Sequence, residues 1–340
     1  MVKKEIIFLC SSTLAVMLGF GVVGPILPQY ILTFGVSYTI AGLAVSAFPM
    51  ARMFSNFPSG ILVNRIGRRK TLLIGIFIVT FGALFCGLAR SIYELIASRF
   101  LYGIGTAMFI VAANVIIADI APTDERGKYL SYYQGSFRFG AILGPAIGGF
   151  IADTAGMRAP FYLLSTLGLV SLIVSFFLIR DDTTSRVNES RTSLNPVFLL
   201  RLMLDRRLIT IELMQLLSFF TMSSIRTTMV PLYGVNFLGL PLSAIGTMLS
   251  AGALVSLPIL LLMSNVVDKI KRNRIISFGF VLLAVAVFYY TVADNFEEML
   301  LATLLLSIAQ VLINPSKVAI IGDITTRETR GLALGAFRTA

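Results

Sequence analysis

Histidine is absent from this 340-residue sequence, cysteine occurs only twice, and 17 residues are acidic. With no His and no metal-ligand spacing, nothing points to a bound metal or cofactor. Cys10 and Cys86 both lie inside apolar runs, where they read as small hydrophobes and not as a disulfide pair. No set of nucleophile, base and oxyanion donors can be assembled, so an enzyme is not expected. Charge of either sign is scarce: 13% of residues are charged, against roughly a quarter in an ordinary soluble domain.

What fills the space is apolar. Hydrophobic residues make up 56% of the chain, more than a soluble fold could hide. They come in runs of about twenty or more, the length needed to cross roughly 30 Å of hydrocarbon as helix. Ten runs lie near 6–33, 38–63, 71–89, 94–119, 128–153, 159–179, 208–235, 242–266, 275–293 and 298–321, and an eleventh opens at Gly331. None alternates with period two, so helices and not a barrel are expected to satisfy the backbone in lipid.

The net charge of +11 would suggest nucleic acid in a soluble protein, but here the basic residues alternate by loop. With the N-terminus in the cytoplasm, most of the 28 Lys and Arg residues fall on the cytoplasmic side, and only Arg90 and Arg158 fall in outer loops. The positive-inside rule therefore places the N-terminus inside, in a multi-pass protein of the cell membrane. The first run has a charged start and no small-residue cleavage pattern, so it reads as a retained helix.

A repeat runs through the chain at an offset of 204 residues (239 minus 35): Gly35 matches Gly239, Gly42 matches Gly246, Asn64 matches Asp268, Arg68 matches Arg272 and Asp119 matches Asp323. Arg126-Gly127 matches Arg330-Gly331, and Pro28 and Tyr30 match Pro231 and Tyr233 after a one-residue slip. The expected organisation is a six-helix half over 1–180, a polar cytoplasmic linker over 181–207, and a second half over 208–340. That half holds four helices and the start of a fifth, so the chain is expected to stop inside its eleventh helix.

The loop after the second run reads GILVNRIGRRK from Gly60 to Lys70, the first run carries LGFGVVGPILP (Leu18 to Pro28), the fourth RFLYGIG (Arg99 to Gly105) and the fifth GAILGPAIGG (Gly140 to Gly149). Together, in this order, these resemble the signatures of the major facilitator superfamily, and most of all its twelve-helix drug and proton antiporter branch. The resemblance implies an all-α membrane fold of two six-helix repeats, working as a monomer. It also implies a helix-end latch built from Gly60, Asn64, Gly67, Arg68, Asp119 and Arg126 in the first half and from Asp268 and Asp323 in the second. In it, position 64 caps the eleventh helix and Arg68 pairs with Asp119. The family's usual Asp is Asn64 here; Asn caps about as well but lacks the charge worth typically 0.3 to 1 kcal/mol at a helix N-terminus. In the second copy Asp268 is kept, whereas Ser264 and Lys271 replace the glycines. Arg99 is implied as a proton-relay residue, although at this depth it could also snorkel to the outer surface.

Gly140, Gly144 and Gly148 recur every fourth residue, a smooth face for close helix approach, and Pro145 removes a backbone donor among them. Arg52 and Arg138 lie near the centres of the second and fifth runs, with Gln134 four residues before Arg138. Arg226 lies in the seventh run, and Lys317 about one turn from the inner end of the tenth. Cations at such depth must face protein or water. Arg52, Arg138, Arg226 and Gln134 are therefore the candidate solute-binding residues. No carboxylate occupies the bilayer centre.

The function expected is alternating-access transport of a small solute, foremost efflux of small amphipathic compounds. An organic-anion carrier using the cationic cavity is the alternative. A non-transporting membrane sensor on the same fold ranks lower, since it calls for an added soluble domain that these 340 residues do not contain.

Overall fold

The computed structural model describes residues 2–120, 125–178, 206–266 and 272–324. Within those limits all ten apolar runs are mainly helical. Asp268, the run opening at Gly331 and all but the last residues of the 181–207 linker lie outside the described residues.

Contacts divide the chain into two compact units, Met1–Asn188 with Pro241–Ser250 and Glu189–Leu240 with Ala251–Ala340. The first contains α1 (Val2–Val23), α2 (Leu27–Leu32), α3 (Tyr38–Ile66), α4 (Arg68–Leu88), α5 (Ile92–Ile120), α6 (Arg126–Ala155) and α7 (Ala159–Leu178). Along the chain follow α8 (Arg206–Ser223), a π-helical segment (Ser224–Met229), α9 (Val230–Asn236), α10 (Leu242–Val266), whose residues up to Ser250 belong to the first unit, α11 (Arg272–Val292) and α12 (Phe296–Ile324). Among the described residues, eight helices are long and apolar enough to cross a membrane.

Two runs that the sequence presents as continuous are broken. The 6–33 run splits at Gly24–Ile26, where turn bonds from Gly24 N to Gly21 O (3.3 Å) and from Ile26 N to Val23 O (3.1 Å) replace the helical ladder. Pro25 and Pro28 have no N–H to give, so two i−4 bonds within this short stretch cannot form. The 208–235 run loosens into the π segment before Pro231, which opens α9. The two breaks occupy corresponding places in the repeat. After each, a tyrosine hydroxyl ties the short helix to the far end of another: Tyr30 Oη donates to Cys86 O (3.0 Å) and Tyr233 Oη to Ala293 O (3.1 Å).

The same offset governs how helices start. Ser91 Oγ accepts from Glu94 N (3.3 Å) and Glu94 Oε2 accepts from Arg90 N (2.8 Å), a reciprocal cap on α5. On α12, Asn295 Oδ1 accepts from Glu298 N (3.0 Å) and Glu298 Oε2 from Asp294 N (2.8 Å). Gly35 and Gly239 take φ of +68° and +64°, a region closed to most residues with a Cβ. Each half thus turns its chain by the same device.

Close helix approach organises the first unit. On Gly140 a Cβ would lie 2.5 Å from Leu18 N, and on Gly144 it would lie 2.6 Å from Gly21 Cα; on Gly148 it would collide with Val22 O. The small-residue face of α6 is therefore pressed against α1, backbone to backbone. On the opposite side Gly149 meets Leu242, and Ala146 N donates to Ser250 Oγ (3.0 Å). Asp153 accepts from Leu242 N (3.1 Å) and Ser243 N (2.8 Å), so a carboxylate of α6 caps the N-terminus of α10.

Candidate transport site and helix-end contacts

Gly67 joins α3 to α4 with φ +92°, and this tight junction lets Arg68 begin a helix at the foot of α5. There its guanidinium forms an ion pair with Asp119. The neighbouring Arg69 Nη2 donates to Phe176 O at the end of α7 (2.7 Å) and lies over the Phe176 ring. Asn64 is exposed, and the helix it is expected to cap lies outside the described residues. Gly60 has open space where a Cβ would be. Arg126 begins α6, and Asp323 is the penultimate residue of α12.

Arg99 departs from one expectation. Only 7% exposed, it does not snorkel outward: Nε donates to Ala44 O on α3 (3.2 Å) and the guanidinium sits 5.5 Å from the Phe48 ring centroid. Stacking on an aromatic face and a backbone acceptor within reach make inward packing cheaper than stretching to the surface. The α3–α5 contact that brings these partners close was not apparent from position along the helix alone.

Arg52 is partly buried on α3 and lies in electrostatic reach of the Tyr133 hydroxyl on α6. Tyr133 is 1% exposed and Thr13, on α1, is fully buried. Their hydroxyls are neighbours, yet neither completes a hydrogen bond. Arg52 has no ion pair with a described carboxylate. Arg138 and Gln134 are exposed on α6. Arg226 is in the π segment, in electrostatic reach of Tyr290 on α11. The structure therefore sets Arg52 near the Tyr133 hydroxyl, which in turn neighbours Thr13, a pair of buried hydroxyls with no distinctive spacing in the sequence.

A second cluster was not anticipated. α12 runs on to Ile324, so Lys317 lies about two turns from its end, not one. The side chain is fully buried; Nζ donates to Gln215 Oε1 (2.7 Å) and Ser218 Oγ (3.2 Å), both on α8. Around it Gln310 Nε2 donates to Ser218 O (3.4 Å) and Asn314 Nδ2 to Gln310 Oε1 (3.0 Å).

Known proteins share this framework. The sequence profile of the Major Facilitator Superfamily matches residues 9–340. Multidrug resistance protein 2 of Bacillus subtilis (strain 168) is 26% identical over 321 residues, covering 93% of this chain and 80% of that protein. Quinolone resistance protein NorA of Staphylococcus aureus is 31% identical over 183 residues, 54% of this chain and 47% of that protein. Among solved structures, a D-xylose-proton symporter superposes with a TM-score of 0.76 at 18% identity over 98% of this chain and 86% of its own. A bacterial homologue of the lysosomal transporter Spinster, inward-facing and unoccupied, gives 0.80 at 14% identity, with 99% of this chain and 78% of its own covered. These two likenesses speak for the fold; the profile and the resistance proteins speak for descent. With helices long enough to cross a membrane, signature loops in order and multidrug and quinolone resistance proteins among its relatives, the chain belongs to the Major Facilitator Superfamily, in likeness to its drug and proton antiporter branch, and is a multi-pass membrane transporter.

Proposed function

We propose that the protein carries small amphipathic compounds out of the cytoplasm by alternating access, its two halves opening a site near the mid-membrane to one side and then to the other. The observation that carries this reading is the likeness to Multidrug resistance protein 2 over 93% of the chain. The N-terminus lies in the cytoplasm, on the side to which the positive-inside rule assigns the helix starts bearing Arg68 and Lys128. The protein works as a monomer in the bilayer. The Arg68–Asp119 pair, with Gly67 and Asn64 beside it, acts as a helix-end latch that favours the state closed at that end. Arg52, Arg138, Arg226 and Gln134 meet the solute.

A second reading has its own support. Arg52 near the Tyr133 hydroxyl, with the Thr13 hydroxyl next to that one, offers one positive charge and two donors, the set that a carboxylate or phosphate group would satisfy. An acidic group on the solute would complete it.

The test reconstitutes the full-length protein in liposomes and follows ethidium, Nile red and carboxyfluorescein as cationic, neutral and anionic probes. Movement of the cationic or neutral dye supports export of amphipathic compounds. Movement of carboxyfluorescein alone, abolished by Arg52→Gln, favours the anionic reading. No movement of any of the three contradicts both.

A further inference from the structure

A carrier driven by protons needs a group inside the membrane that can exist in two protonation states. Arginine does not provide one, because it stays protonated at any accessible pH, and burial moves thiols and phenols away from ionisation. Lysine differs, since its amine can be neutral once desolvated. Every other described lysine sits in the first turn of a helix, whereas Lys317 lies deep in α12 and is fully buried.

We propose that Lys317 is the proton-carrying group of this transporter, held by Gln215 and Ser218 in a site that accepts both its charged and its neutral form; this rests on the transport reading above. The partners are what make it suitable. A carboxamide and a hydroxyl are each donor and acceptor. With the ammonium, Gln215 Oε1 and Ser218 Oγ accept, as observed. With the neutral amine, the Ser218 hydroxyl, which now donates to Met214 O (2.5 Å), or the Gln215 amide can turn to donate to the nitrogen lone pair. In either state Nζ can keep a hydrogen bond to each partner.

Charged groups on the surrounding elements are few. α10 carries none. α11 brings Arg272 and Arg274 at its start, and α8 brings Arg206, Arg207 and Glu212, with Arg226 in the π segment that continues it. On α12 itself no charged residue other than Lys317 lies between Glu298 and Asp323. Glu212, one turn nearer the helix start than Gln215 and partly exposed, is the rival proton carrier.

The repeat argues against a purely structural role. Lys317 corresponds to Ala113, also fully buried, so the first half fills the equivalent place with a methyl group. The packing of this fold does not demand a lysine there. In a cycle the ammonium releases one proton to water on one side, the amine passes across with the site closed to that side, and it regains one proton from the other side. The solute moves against that proton, and the imposed proton gradient supplies the drive.

The experiment uses full-length protein in liposomes with ethidium, Nile red and carboxyfluorescein. Accumulation driven by a pH gradient is compared with gradient-free exchange, for wild type and for Lys317→Ala, Lys317→Gln and Glu212→Gln. Lys317→Ala reproduces the residue of the first half and is expected to fold. The expected result is that both Lys317 variants keep exchange and lose gradient-driven accumulation to the level of empty liposomes, while Glu212→Gln keeps both. Accumulation retained in the Lys317 variants overturns the proposal, as does loss of exchange along with it, or loss of accumulation in Glu212→Gln alone. Exchange without gradient-driven accumulation in wild type overturns it while leaving the transport reading intact. Absence of both from wild type brings down the transport reading and this proposal together.

Discussion

At the scale of single residues, charge placement separates what helix position discloses from what packing decides. Asn64 is legible in sequence as a weakened form of the family's capping Asp, and Arg68 finds Asp119 as the resemblance implies. Under the proposed capping role, restoring the charge with Asn64→Asp is expected to add about 0.3 to 1 kcal/mol at a helix N-terminus, or about a 2- to 5-fold shift toward the latched state. A thiol introduced by Ser131→Cys, near the start of α6, should then react more slowly with an impermeant maleimide; an unchanged or faster rate would remove the capping role from position 64. Arg99 illustrates the opposite case. Its distance from the helix end leaves snorkelling open, and only the neighbours Ala44 and Phe48 decide for burial. Arg99→Lys keeps the charge but loses the planar group that stacks and bonds at once. We expect it to destabilise the protein by about 1–2 kcal/mol, read as a lower unfolding temperature in detergent.

Elements were legible where pattern and chemistry coincide. The 204-residue offset seen in sequence returns as paired glycine turns at Gly35 and Gly239 and as matched caps at Glu94 and Glu298. The breaks at Gly24–Ile26 and Ser224–Met229 were not, because hydropathy does not change where the ladder fails; only the missing donors of Pro25, Pro28 and Pro231 mark them. Nor does the sequence disclose that Asp153 caps α10, 89 residues away from Leu242. The α6 glycines were readable as a packing face, though not the helix they meet. Gly144→Val should separate α6 from α1 at Gly21 and cost at least about 1–3 kcal/mol. Gly135→Ala, where a Cβ meets nothing within 4 Å, should be neutral or stabilise by up to about 1 kcal/mol. Thermal unfolding of the two variants side by side checks the contrast, and equal effects would mean that the α1–α6 contact does not set the stability of this unit.

For the whole molecule, family and fold class were accessible from signature loops and apolar runs, while the polar cluster at Lys317 was not, since it depends on α8 and α12 meeting side by side. In the proposed cycle one solute site opens to the two sides of the membrane in turn. Gln134 is exposed on α6 and assigned to that site, and the two native cysteines, Cys10 and Cys86, can be replaced by Ser and Ala. The direct measurement labels Gln134→Cys in that background, in oriented liposomes, with an impermeant maleimide added from one side or the other, with and without ethidium. Alternating access predicts labelling from both sides, with ethidium raising one rate as it lowers the other. Labelling from one side only, indifferent to the dye, would contradict it.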